Sequence, residues 1–308
     1  MDKTQIYWVI ISRRGEYIDQ CIFSSDVPGL PTAFRAISGC IQTKFKFPTS
    51  SGRRMIRQSE RLRLSDSSAC EVATAVTALF VPGDRSERFG KAATSGADVV
   101  IFDLEESVAP ASKAAALSEI QKKIAGLKPE VNVLVRVNPL GSASYEREVE
   151  SLLRATPAWP GGLLGLVVPK AEDSEGLRDL VRRCRKLRLA VVLGVESAAG
   201  LMDAHALAKI PGVTRLAFGA IDYALDIDTS TSDYRFLDYA RNVLVVASKT
   251  AGIAAPLDSP SVSIADIGKM SSEATLSRHF GFGGMLCIHP VQVPVVAEAF
   301  ASGAEGLV

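Results

Sequence analysis

Residues 77–110 read TALFVPGDRSERFGKAATSGADVVIFDLEESVAP. Two short apolar runs, Ala78–Val81 and Asp98–Phe102, bracket a segment with helical spacing, Glu87–Ser95. Polar residues follow each run: Pro82-Gly83-Asp84-Arg85 after the first, Asp103-Leu104-Glu105-Glu106 after the second. Apolar runs that do not alternate with polar residues belong to parallel strands covered on both faces. A strand, a helix and a second strand in this span form the unit from which parallel sheets are built.

The unit recurs to the end of the chain. Strand-like runs follow at Asn132–Val137, Leu163–Val168, Ala190–Val195, Thr214–Phe218, Gly252–Ala255 and Gly284–Ile288. Helix-like segments occur at Ser112–Ala125, Tyr145–Leu153, Ser174–Leu187, Gly200–Ala208, Tyr234–Ala251 and Met270–Phe280. Eight strands alternating with helices predict an α/β fold, a TIM (β/α)8 barrel spanning 76–308. A doubly wound open sheet is the competing architecture, but no G-x-G-x-x-G follows the first strand.

The chain has 308 residues, 47% apolar and 22% charged, which is ordinary globular composition and excludes a disordered or collagen-like chain. Lys and Arg number 35 against 34 acids, so nothing marks a nucleic-acid partner. The five cysteines are scattered and never spaced C-x-x-C, which points to a reducing, cytoplasmic compartment. None of His205, His279 and His289 pairs with another at i, i+4, so any metal must be held mainly by carboxylates. No apolar run reaches the roughly 18 residues of a membrane span. Ile6–Ile11 is too short, and the Arg13-Arg14 pair after it is on the wrong side for a secretory signal.

Residues 1–75 read differently. Between Arg35 and Arg63 stand eight basic residues and one acid, Glu60, without clear periodicity. The segment is expected to be an irregular, poorly ordered extension outside the barrel. Three origins compete: an appendage, sequence upstream of a true start such as Met55, or an organelle transit peptide. The last would move the location to an organelle matrix.

Barrel enzymes build their sites at the C-terminal ends of the strands, and here those ends carry ionisable groups throughout. The set comprises Asp84 and Arg85, Asp103 with Glu105 and Glu106, Arg136 with Asn138, Lys170, Glu196, Asp222, Asp258 and His289. Glu196 and Asp222 end adjacent strands, and two carboxylates without a histidine suit Mg²⁺, which fills its octahedron with water and substrate oxygens. Arg136 lies within the apolar run Val133–Asn138. It is either paired with Asp103 or Glu105, or aimed at an oxyanion or substrate carboxylate. Asp84 and Arg85 follow a Pro-Gly turn that leads into a helix start able to take an anion, or else form a helix cap with a solvated arginine. His289 reads as a structural histidine and Cys287 as inert core.

These residues sit in stretches that resemble the citrate lyase beta-subunit-like branch of the HpcH/HpaI aldolase family. The stretches are LFVPGDRSERFGKA (79–92), GADVVIFDLEESVAP (96–110), VLVRVNPLG (133–141), VVPKAED (167–173), GVESAAGL (194–201), LAFGAIDYALDI (216–227) and GFGGMLCIHPVQV (281–293). The resemblance implies a barrel, usually homotrimeric, that cleaves or forms a C–C bond in a CoA or acyl-carrier thioester, with citrate lyase alpha and gamma subunits as partners in some cases. It implies Mg²⁺ on Glu196 and Asp222. Catalytic roles fall to Arg136, to Glu105 near the metal's water shell, and to Asp258 in PLDSP. Substrate contacts fall to Arg136, Asp84, Arg85 and Asn138. The expected activity is retro-Claisen cleavage of a citryl, malyl or citramalyl thioester to an acyl thioester and a 2-oxo acid. The alternatives are a malyl-thioester hydrolase and a catalytically impaired ligand-binding barrel. Glu106 stands where Asp is usual, Met285 where Lys is common, and Ser142-Ala143-Ser144 where Thr-Pro-aromatic is typical. The C-terminal lid of many members is expected to be missing.

Overall fold

Eight strands, β1 (Thr77–Pro82), β2 (Val99–Asp103), β3 (Val133–Arg136), β4 (Gly165–Val168), β5 (Ala190–Val195), β6 (Arg215–Phe218), β7 (Ala254–Asp258) and β8 (Gly284–Cys287), pair in parallel, each with the next. β8 returns to β1 and closes the barrel. The computed structural model describes residues 12–13, 16–17, 67–126, 131–159, 162–229 and 235–301.

Side chains alternate along a strand, and the barrel uses both faces. Ala78, Ile101, Leu134, Val192 and Leu257 belong to a cluster that fills the interior. Leu79, Phe102, Val135 and Leu193, each next to one of these, and Phe218, next to the interior Ala217, pack outward with helix residues such as Ile120, Leu152 and Leu180. This parity decides where the strand-end side chains go. Asp103 is two positions beyond Ile101, Arg136 two beyond Leu134, and Glu196 four beyond Val192, so all three follow the inward parity. Asp258 follows Leu257 and falls on the outward side.

β7 lies further along than the expected Gly252–Ala255. Gly252 has φ +70° and ends the helix Arg235–Ala251 in a left-handed cap, so the strand starts only after it. The β6–β7 register is irregular between Arg215 and Ala217. Two helices that the periodicity did not predict, Ala220–Asp226 and Gln292–Ala301, follow β6 and β8.

The chain divides into two units, Met1–Met55 and Ile56–Val308. In the first, Ser12–Arg13 pairs antiparallel with Glu16–Tyr17. The remainder of the expected extension up to Asp66 lies outside the described residues, as do 302–308, where the absence of a lid would be judged. Residues 67–75, expected to stand outside the fold, instead help to fill its bottom. The helix Ser67–Thr74 sends Val72 into the interior cluster, and Ala75 follows. Arg215, 1% exposed at the start of β6, donates through Nη1 to Val72 O at 3.2 Å and Ala75 O at 2.5 Å, and through Nε to Ala255 O. Carbonyls at the negative end of a helix are fitting partners for a buried cation. A β-carbon on Gly283 would come within 2.5 Å of Arg215 Nη2, so glycine there leaves room for the guanidinium as it is placed. Among the described residues, no helix is long and apolar enough to cross a membrane.

Candidate active site

At the C-terminal ends of β2 and β3 the inward parity brings Asp103, Glu105 and Arg136 together. Arg136 grips Asp103 in a two-pronged fork, Nε to Oδ1 at 2.7 Å and Nη2 to Oδ2 at 2.8 Å. Its Nη1 lies 2.9 Å from Glu105 Oε2, and the Phe80 ring sits 4.5 Å from its guanidinium carbon. Both acids offered as partners by the sequence are engaged, and the side chain keeps 16% exposure. Burial alone would raise the Asp103 pKa. The hydrogen bond and charge of Arg136, with the Ser107 hydroxyl, bring it below the ordinary value.

Glu105 is buried, and neither of its carboxylate oxygens receives a hydrogen bond. Burial raises its pKa against the opposing charges of Arg136 and Lys170. Lys170 Nζ stands 3.5 Å from Glu105 Oε1 and 2.7 Å from Glu106 Oε1.

Glu196 and Asp222 line one cavity of about 410 Å³ with Lys170, Glu172, Ser197, Leu225 and Asp226. Glu196 is 7% exposed, and its Oε2 has no hydrogen-bond partner. Burial, then the negative charge of Glu105, raises its pKa to about 8 against the pull of Arg136. Two glycines make room for this side chain. A β-carbon on Gly194 would approach Glu196 Oε1 to 2.5 Å, and one on Gly219 would approach Glu196 Cγ to 2.5 Å. The glycine of G-V-E and the glycine after β6 are therefore steric requirements of one carboxylate. Asp222 is half-buried on Ala220–Asp226, and burial raises its pKa too.

The arrangement suits a divalent cation. Among the described residues, the carboxylates of Asp103, Glu105, Glu106, Glu172, Glu196, Asp222 and Asp226 are grouped with the cations Arg136 and Lys170, and the Glu196 oxygen is buried without a donor. Among the described residues no three His, Cys, Asp or Glu groups form a closed cage. A two-carboxylate site completed by water and substrate oxygens fits Mg²⁺ better than zinc.

Other expected site residues are placed elsewhere. Asp258, for which the resemblance implies a catalytic role, lies outside the mouth. Its Oδ2 accepts from Arg241 Nε at 3.0 Å and Ser277 Oγ at 2.5 Å, on two surrounding helices, and Oδ1 accepts from Ser259 N. Alternation along β7 turns it away from the mouth. Asp258→Ala strands the buried Arg241 guanidinium, so we expect a loss of about 3–5 kcal/mol in a chemical melt, with Mg²⁺ affinity unchanged in titration calorimetry. Asn138, read as a substrate contact, is a clamp: its Nδ2 donates to Leu104 O and Glu148 Oε1, and its backbone N–H to Glu148 Oε2. Asp84 and Arg85 are exposed after β1, 3.9 Å apart, and do not border the cavity. Arg85 makes no side-chain cap on the three-residue turn that follows. His289 Nδ1 accepts from Val291 N, and burial pushes the Cys287 thiol up to about 12, both in keeping with structural roles.

Lys170 is the group to which the sequence assigned no role. Its place at the end of β4 was legible, but its pairing with Glu105 and Glu106 was not, because those acids come from a loop 64 residues earlier.

Comparison with known proteins identifies the family. The family model described as HpcH/HpaI aldolase/citrate lyase matches residues 77–290. A citrate lyase subunit beta-like protein of Mycobacterium tuberculosis is 36% identical over 235 residues, covering 74% of this chain and 80% of that one. The L-malyl-CoA/beta-methylmalyl-CoA lyase of Cereibacter sphaeroides is 32% identical over 251 residues, covering 72% and 77%. A crystal structure of CitE from M. tuberculosis in complex with magnesium, acetoacetate and coenzyme A superposes with a TM-score of 0.63 at 32% identity, over 75% of this chain and 83% of that one. With its barrel closed as expected and its motifs at the strand ends, the chain belongs to the HpcH/HpaI aldolase/citrate lyase family.

Proposed function

We propose that the chain is a Mg²⁺-dependent carbon–carbon lyase acting on a hydroxy-acyl thioester of the citryl, malyl or citramalyl type. The observation that carries this reading is the pair Glu196 and Asp222 on one cavity, the first with a buried oxygen that has no donor. In this reading Glu196 and Asp222 hold the ion. When bound it acts as a Lewis acid on the oxygen that becomes the ketone.

The remaining steps fall to the chain's own groups. Retro-Claisen cleavage takes the proton from the hydroxyl, breaks the bond between the carbinol carbon and the thioester α-carbon, and leaves a thioester enolate. Arg136, held by Asp103, presents a fixed positive charge to the enolate oxygen without having to reorganise. The proton removed from the hydroxyl is the one the α-carbon needs. A single carboxyl that accepts and returns it therefore balances the reaction with no further reactant. Glu105 suits that role, since it is buried beside Arg136 and Lys170 with neither oxygen in an aligned hydrogen bond, and burial raises its affinity for a proton. A CoA thioester as substrate and a homotrimeric assembly belong to the same proposal, and light scattering of the purified chain tests the assembly.

The activity test is a panel of citryl, malyl and citramalyl thioesters assayed with Mg²⁺ and with EDTA. We expect metal-dependent release of an acyl thioester and a 2-oxo acid. Metal-independent turnover would count against the proposal. So would silence from a folded protein, which would leave a ligand-binding barrel. Free malate formed from glyoxylate and acetyl-CoA would indicate the hydrolase instead.

A further inference from the structure

Lys170 follows Pro169 at the end of β4 with φ +48°, a left-handed conformation that few residues other than glycine adopt. The turn is held in place because Ala171 N–H donates to Gly194 O at 2.8 Å, which ties it to β5 beside Glu196. Backbone strain of this kind persists where the surrounding structure fixes it, and it clusters at ligand sites.

Among the described residues, the mouth offers the cations Arg136 and Lys170. Arg136 is committed, its fork closed on the buried Asp103 carboxylate. Lys170 is not. Its short contact is with Glu106, whose side chain is 54% exposed, and ion pairs at such sites contribute little and exchange readily. Lys170 borders the cavity beside Glu196 and Asp222, and Arg136 does not. The other positive feature nearby, the start of the helix Ala198–Ala208, is already filled. Ala198 N donates to Asp226 Oδ2 at 2.7 Å and Gly200 N to Ser197 Oγ at 3.0 Å.

We infer that Lys170 anchors the substrate's carboxylate: its ammonium leaves Glu106 and pairs with the carboxylate of the acid half inside the cavity. The identity of that carboxylate rests on the lyase reading. The anchoring itself is testable with a 2-oxo acid alone.

The test titrates pyruvate into the full chain with Mg²⁺ present and follows thioester kinetics in parallel. In Lys170→Met the Kd for pyruvate and the KM for the thioester should rise about 10- to 100-fold, the loss of one charge-assisted hydrogen bond. The kcat should fall far less. Lys170→Arg should recover most of the binding. Mg²⁺ should bind Lys170→Met no more weakly than wild type, because a cation beside the two carboxylates has gone. Glu106→Gln, which frees the lysine, should bind pyruvate as well as wild type or better. The inference is overturned if wild type does not bind pyruvate, if Lys170→Met binds it unchanged, if Lys170→Arg is no better than Lys170→Met, or if Glu106→Gln weakens binding. If no thioester is turned over but pyruvate binding is lost only on removing Lys170, the lyase reading fails and the anchor stands.

Discussion

Glu196→Gln should lower kcat/KM for the thioester by at least about 10³-fold, the equivalent of about 4 kcal/mol of transition-state stabilisation. Gln fills nearly the same space between Gly194 and Gly219, so the barrel should fold normally. The variant should also lose the rise in Tm that Mg²⁺ gives wild type, since a ligand stabilises only a state that binds it. In EDTA the order of stabilities should reverse. The Glu196 carboxyl has a folded pKa of about 8, from burial and the charge of Glu105, against an ordinary 4.5. A raised carboxyl pKa means that the folded state holds a proton the unfolded state gives up. Its stabilising effect is therefore complete below about pH 4.5 and is lost as pH rises through about 8. Gln has no such transition. Across this range metal-free wild type should lose stability relative to Glu196→Gln, and thermal melts at pH 5, 7 and 9 with EDTA would show the gap widening. An unchanged gap would mean that the Glu196 carboxyl is not held protonated, and Mg²⁺ stabilising both proteins equally would remove Glu196 from the metal site.

Arg136→Ala should be the most damaging single change to the mouth. It leaves the Asp103 carboxylate, 1% exposed, without its fork and Glu105 without its nearest cation. Breaking a buried pair from one side costs about 3–5 kcal/mol. For a chain of this size that is a fall in Tm of roughly 10 °C. Activity should fall by about 10²- to 10³-fold, as it does when a group facing a developing oxyanion is lost. Arg136→Lys separates the two effects. A lysine keeps the charge between the acids but cannot reproduce the planar fork, so much of the stability should return while kcat stays about 10²-fold down. Circular dichroism melts with steady-state kinetics on both variants would check this. A wild-type Tm in Arg136→Ala would mean that the ion pairs contribute nothing, and full activity in Arg136→Lys would mean that orientation is irrelevant.

Much of the fold was legible because a parallel barrel strand is a local signal. Runs such as Leu163–Val168 and Ala190–Val195 are apolar on both faces and short, and no amphipathic helix reads that way. β7 was harder. Its apolar run passes from the end of the helix Arg235–Ala251 into the strand, and only the left-handed Gly252 separates them. The helix Ser67–Thr74 sits at the end of a basic, aperiodic stretch, and its small apolar surface has meaning only against the barrel floor, where Arg215 needs its carbonyls.

The order of residues alone therefore settled the number of strands, their direction, and the end of the barrel at which the acids and Arg136 would gather, since each follows from periodicity within a few residues. With its three histidines unpaired at i, i+4, it also directed the search for a metal site to the carboxylates. Folding decided which strand-end groups meet. Asp258 and Glu196 look alike as acids at the ends of strands, yet one residue of parity sends the first outward to Arg241 and Ser277 and the second inward to the cavity. The buried Glu196 oxygen without a donor, the ion pairs of Glu105 with Arg136 and Lys170, and the reach of Lys170 to Glu106 likewise exist only once distant strands lie side by side, because burial and charge act through space and not along the chain.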